Sequence, residues 1–226
     1  MKKRSLIPAK TRRFPAIIRA ITTASAVLTL LVLLTACSSQ PSQPAETAKP
    51  EPKGPDLLTG RSAFQKSFIA ARGWQRDAQA FRIESVATTD TNGHDGKWAV
   101  WRAEFASPTQ RAVKSFIWSG SAASDAPARG INPSIEDGYN PSNASTQVFD
   151  AAFLKIDSDQ AVAAAQKHGG DKILEKSPDT PVTFVCDWNH NTNQLIWHVI
   201  YGTSRDSAKL TVSVDASTGD FIRVEK

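Results

Sequence analysis

Two helix-like stretches are each followed by a train of short runs in which apolar and polar residues alternate. This order, met twice, limits the possible fold more than any other feature of the chain. Alternation with a period of two marks strands that bury one face and wet the other. The first set opens at Thr59 with TGRSAFQKSFIAARGW, where Ala63, Phe64, Phe68 and Ala71 recur at helical spacing and Gly73 is a stop signal. AFRIESV (80–86) follows, with Phe81 and Ile83 alternating with Arg82 and Glu84, and the turn DTNGHDG breaks the pattern. KWAVWRAEF (97–105) and VKSFIWS (113–119) complete the set.

The second set begins at Asp157, an N-cap with Gln160 placed to reach back in a capping box. AVAAAQKH runs to the stop Gly169-Gly170. Then come TFVCDW (183–188), the turn NHNTN, QLIWHVIY (194–201), KLTVSVD (209–215) and DFIRV (220–224). A shift of 96 residues lays Trp101 on Trp197, Phe105 on Tyr201 and Trp118 on Val214. The expected fold is α+β: two tandem units, each of one helix packed on an antiparallel β-meander sheet, at 57–120 and 153–226. A polar, Gly/Pro-rich connecting segment, 121–152, joins them; its Ile135 and Tyr139 suit either a contact surface or an inert spacer.

The cluster Asp215-Ala-Ser-Thr-Gly-Asp220 invites a metal or phosphate reading, but the strands on either side decide otherwise. Leu210, Val212 and Val214 alternate with Thr211 and Ser213, and FIRV resumes the pattern beyond the cluster. A calcium loop needs spaced carboxylates and a distal Glu, and a phosphate loop needs a Gly-rich lead into a helix. The cluster is read as a hairpin turn, with Gly219 at positive φ and Asp215 and Thr218 bonding the local backbone.

A helix of the type AVAAAQKHGG, a middle strand LIWHVIY and a closing VSVDASTGDFI together resemble the PepSY domain, over roughly residues 155–226. Residues 59–120 resemble it only through the repeat and lack the D-A-x-T-G match. The resemblance implies an exported helix-on-sheet module with no catalytic residues, of a family for which regulation of peptidases has been proposed.

The bulk charge of +5 misleads, because seven of the 27 basic residues lie at or before Arg19 and no acid occurs before Glu46. From residue 37 onward 20 basic residues face 22 acidic ones, which removes the electrostatic case for a nucleic-acid partner. Residues 1–36 read as a signal peptide: a basic start, then the apolar stretch 20–36. It ends in Leu34-Thr35-Ala36-Cys37, which resembles a bacterial lipobox and predicts cleavage before Cys37 and lipidation of its thiol. Two or more acyl chains give stable membrane anchoring. Arg12-Arg13 is a poor twin-arginine match because Phe14 and Pro15 follow, so the general secretory route is expected. Ser38 is not an inner-membrane retention residue, so in a host with two membranes the outer one, facing the periplasm, is favoured. Residues 37–56 carry the lipidated Cys and a proline-rich tether, too poor in apolar residues to fold.

Chemistry is sparse beyond the anchor. Residues 57–226 contain no G-x-S-x-G, H-E-x-x-H, C-x-x-C or S-x-x-K. Cys186, His190 and His198 lie on or between neighbouring strands, a conceivable zinc set. Against it, Cys186 shares a face with Phe184 and Trp188, and His198 points away from Trp197. His168, in the last helical turn, suits the helix dipole rather than catalysis. No catalytic, cofactor or metal residues are assigned, and Cys37 is the one chemical site. Trp74, Trp98, Trp101, Trp118, Trp188 and Trp197 are read as core, although alternation sets Trp98 on the strand face opposite Trp101. The expected function is that of a membrane-anchored, non-catalytic binding or regulatory module for an exported protein or peptide, a peptidase among them. The alternative is a cell-wall glycan binder that uses exposed tryptophans.

Overall fold

A computed structural model describes residues 54–225; the leader, Cys37 and the tether as far as residue 53 lie outside the described residues. The elements are β1 (Leu58–Thr59), α1 (Gly60–Trp74), β2 (Gln79–Ser85), β3 (Lys97–Trp98), β4 (Val100–Ser107), β5 (Ala112–Ser119) and β6 (Gly130–Gly138). They continue with α2 (Ser158–Ala165), α3 (Asp171–Lys176), β7 (Val182–Asn189), β8 (Gln194–Tyr201), β9 (Leu210–Asp215) and β10 (Phe221–Glu225). The fold is α+β.

The strands of both sets join one eight-stranded antiparallel sheet in the order β10-β9-β8-β7-β2-β4-β5-β6. The junction is β2 with β7, where Ile83 lies opposite Cys186. Each set of strands would otherwise leave an unpaired inner edge; the two edges pair over Arg82–Glu84 and Val185–Asp187, and Phe149 N donates to Ala80 O at the start of β2. Both helices cover the same face. Ala63 and Phe64 of α1, and Ala161, Val162 and Ala165 of α2, belong to one apolar cluster with Trp101, Phe105, Phe184, Trp197, Val199 and Val214.

The helix starts meet over the centre of this core. Asp157 caps α2, accepting from the Ser158 amide at 2.7 Å, while Gln160 reaches back to the Asp157 amide at 3.1 Å. The same carboxylate accepts from the Thr59 hydroxyl at 2.7 Å and the Arg61 amide at 2.8 Å, so one side chain serves the orphan donors of both helices. Beneath them Trp101 Nε1 donates to Leu58 O and Trp197 Nε1 to Ile156 O, each at 2.9 Å. Gly60 is required by this closeness: a Cβ there would lie 2.6 Å from Trp197 Cη2 and 3.0 Å from Trp101 Cη2.

Four local features depart from the sequence reading. The expected helix ends at Ala165, and Gly169, with φ of 110°, kinks the stretch Gln166–Gly170 that leads straight into α3. The expected run 97–105 breaks at Ala99, so β3 pairs with β1 while β4 joins the sheet. That break returns Trp98 to the core, fully buried, with Nε1 donating to Val182 O at 2.9 Å. A bulge between Ala80 and Arg82 takes Phe81 off the face of Ile83 and packs it with Ala106 and Tyr139. Finally, the connecting segment 121–152 contains β6, an edge strand along β5. Gly and Pro133 conceal it in the sequence, and the proline is tolerated because it sits on an edge strand, at the register shift with β5.

Candidate functional site

The DASTGD cluster is a hairpin turn between β9 and β10. Asp215 Oδ1 accepts from the amides of Ser217 (2.7 Å) and Thr218 (3.0 Å), and Gly219 takes φ of 84°. Its other oxygens tie the turn to its neighbours: Asp215 Oδ2 accepts from Gln194 Nε2 at 3.1 Å, and the Ser217 hydroxyl donates to Phe153 O at 2.8 Å.

Alternation sorts the zinc candidates onto different surfaces. Cys186 is buried on the helix-covered face of β7, where burial pushes its thiol pKa well up. His198 stands on the opposite face of β8, and His190 is exposed in the β7–β8 turn. The structure does not bring the three together, and among the described residues no group of three His, Cys, Asp or Glu side chains could hold a metal ion. The His168 ring stacks on Phe221 with centroids 3.8 Å apart.

The opposite sheet face carries a polar network that the sequence reading missed. The loop 202–209 folds back so that Arg205 Nη2 comes 3.7 Å from Asp187 Oδ2. His198 Nε2 bonds Asp187 Oδ1 of β7 at 3.1 Å, and Nδ1 bonds Glu225 Oε1 of β10. Ser213 of β9 donates to the same Glu225 oxygen at 2.6 Å. Side-chain exposure is 7% for His198 and 18% for Glu225. Burial alone would lower the His198 pKa, but the two carboxylate bonds outweigh it and raise it above the ordinary histidine value. Burial likewise opposes charge on Glu225, yet His198 and then Ser213 hold it down to about 2. Asp187 is lowered against its burial by the same imidazole.

Serine, histidine and aspartate stand close here, but not as a nucleophile and base. Ser213 gives its proton to Glu225, and both ring nitrogens of His198 are spent on carboxylates, so the imidazole has no free nitrogen to accept a proton from the hydroxyl. The arrangement is a charge-assisted tie across β7, β8, β9 and β10. A signal for it existed: in a meander of these runs, His198 falls opposite Ser213, on the face away from Trp197.

The sheet has two unlike outer edges. β6 holds Pro133, and its Glu136 accepts from Trp74 Nε1 at 2.8 Å and meets Lys114 Nζ at 3.4 Å. β10 is free of proline and exposes Phe221 (37%) and Val224 (43%), whose register with Val214 and Val212 sets them on the helix side. Of the six indoles, Trp98, Trp101, Trp118 and Trp197 are buried, whereas Trp74 and Trp188 are half-buried. Among the described residues no helix is long and apolar enough to cross a membrane. No protein-family model, curated protein or solved structure matches the chain.

Proposed function

We propose that the chain is an exported lipoprotein whose folded body binds an extended segment of another exported protein at β10. In this reading residues 1–36 are removed, Cys37 is lipidated, and the tether holds the body off the membrane, on the outer side of the cytoplasmic membrane or on an outer membrane facing the periplasm. The observation that carries the binding role is the contrast between the edges. Pro133 blunts β6, as natural edge strands require, whereas β10 has no proline and, among the described residues, no strand on its outer side, and it exposes Phe221 and Val224 beside Arg223 and Glu225. An extended peptide added there gains main-chain hydrogen bonds for affinity and side-chain contacts for specificity. The His198 tie supports the same role, because it fixes the far end of β10 to the sheet and presents a rigid template.

The same reading takes the two halves as copies of one unit, joined through β2 and β7, and the second as PepSY-like. Its support is the matched pair of indole bonds, Trp101 to Leu58 and Trp197 to Ile156, at the start of each helix. A peptidase is the first partner to test. The glycan alternative needs exposed indoles, and four of the six are buried, which leaves it Trp74 and Trp188.

The test is a pair of proline variants, scored by the proteins cross-linked to the lipoprotein in intact envelopes. Val224→Pro is expected to abolish the adducts and Ser134→Pro in β6 to leave them. Undiminished adducts from a folded Val224→Pro protein refute the edge reading.

A further inference from the structure

The sheet face opposite the helices holds a cleft beside Arg205, with a volume of about 340 Å³. Val185 and Ile200 form its floor, 7% and 2% exposed, and Arg82, Arg102 and Arg205 line its walls. Glu84 is the one carboxylate among the lining residues, and Asp187 flanks the cleft, opposite Arg82 in the β2–β7 register and 3.7 Å from Arg205. We infer that this cleft binds a carboxylate that bears a small apolar group.

Glu84 is what makes the arginines a site rather than scattered surface charge. It lies directly opposite Arg102 in the β2–β4 register, accepting from Arg102 Nη1 at 2.6 Å with one oxygen and from Arg82 Nε at 2.9 Å with the other. With 19% exposure it is well packed, and both of its oxygens are spent on holding the two guanidinium planes. Each guanidinium has roughly five N–H donors in a rigid fork. Among the described residues, Arg82 and Arg102 each make one hydrogen bond to protein, and Arg205 makes none, since its contact with Asp187 is too long for one. Glu104, opposite Arg82 across the strands, is engaged by the Ser115 hydroxyl at 3.2 Å. Pre-oriented forks with unspent donors over an apolar floor match a carboxylate head and a short alkyl body, at the small end of ligand cavities. The chain terminus of a peptide and a free short-chain acid share this chemistry. The cleft is separate from the β10 edge and does not depend on it.

The experiment is a titration of the full chain, followed by amide NMR, with N-acetyl-alanyl-leucine, its C-terminal carboxamide and 4-methylpentanoate. The free carboxylates are expected to bind saturably, about tenfold or more tighter than the carboxamide. Equal affinities for the two acids identify a small acid as sufficient, and tighter binding of the dipeptide identifies a chain terminus; either result supports the site. Arg82→Gln and Arg102→Gln are expected to weaken binding about fivefold or more, and Lys66→Gln on α1 to leave it unchanged. Arg82→Lys keeps the charge and guards against a folding defect; it is expected to bind weakly as well, because a point charge lacks the fork. Carboxamide binding equal to carboxylate, no saturable shifts at the cleft up to about 20 mM ligand, or full affinity in both glutamine variants overturns the inference.

Discussion

Replacing Glu225 by Gln removes one charge from the His198 tie while keeping the volume of the side chain, and the consequence is a pH-dependent loss of stability. Glu225 titrates near 2 in the folded chain against 4.5 for an ordinary glutamate. At roughly 1.4 kcal/mol for each pH unit, the full drop corresponds to about 3 kcal/mol. The carboxylate still meets solvent at the sheet edge, which screens the pair and leaves about 1–2 kcal/mol. The sign follows from the two directions of shift. The lowered pKa of Glu225 stabilises the fold above the unfolded value of 4.5 and is lost as pH falls toward 2. The raised pKa of His198 stabilises it below the unfolded value of 6.5 and is lost as pH rises through the folded value. The penalty of Glu225→Gln is therefore largest between about pH 4.5 and 6.5 and shrinks on both sides. Urea unfolding of wild type and variant across a pH series, followed by emission of the buried indoles, measures it. With a slope near 2 kcal/mol/M, the midpoints should differ by about 0.5–1 M at the maximum. A difference of constant size from acid to alkaline pH would refute the reasoning, because loss of packing alone has no such profile.

Gly60→Ala places a methyl group against Trp197 and Trp101, and overpacking there is expected to cost about 1–3 kcal/mol, read as a lower thermal midpoint. The indoles are expected to emit in the blue, with acrylamide quenching confined largely to Trp74 and Trp188; a Trp74→Phe, Trp188→Phe double variant should lose most of the quenchable emission. Cys37→Ser is expected to leave the chain unlipidated with its leader uncleaved by the lipoprotein peptidase, and normal processing of the variant would contradict the anchor.

Periodicity and capping made the helix starts and most strands legible. Asp157 and Gln160 announced α2, and strict alternation in LTVSV and LIWHVIY placed Val212, Val214 and Trp197 in the core. What escaped was set by partners distant in sequence. Nothing local to FRIES or FVCDW states that β2 and β7 pair, yet that contact turns two sets of strands into one sheet. The β6 strand hid behind Pro133, and the Phe81 bulge and Ala99 break reversed faces that a strict period of two assigns. The His198 tie was half visible. Its face followed from Trp197, but Glu225 is 27 residues away and joins only once β9 and β10 are stacked beside β8. Arg205 was hidden altogether, because a loop has no period from which its fold onto the sheet could be read.

The most direct test of the central claim is site-specific photocross-linking in intact envelopes, with a photoreactive phenylalanine analogue at Val224 of β10 and, separately, at Ile135 of β6. Both side chains are exposed, Ile135 at 90%, so access alone does not separate them. The account predicts a light-dependent adduct with an exported protein from position 224 and none from position 135. An adduct from position 135 alone, or none from either while Cys37 is lipidated and the body folded, would contradict it.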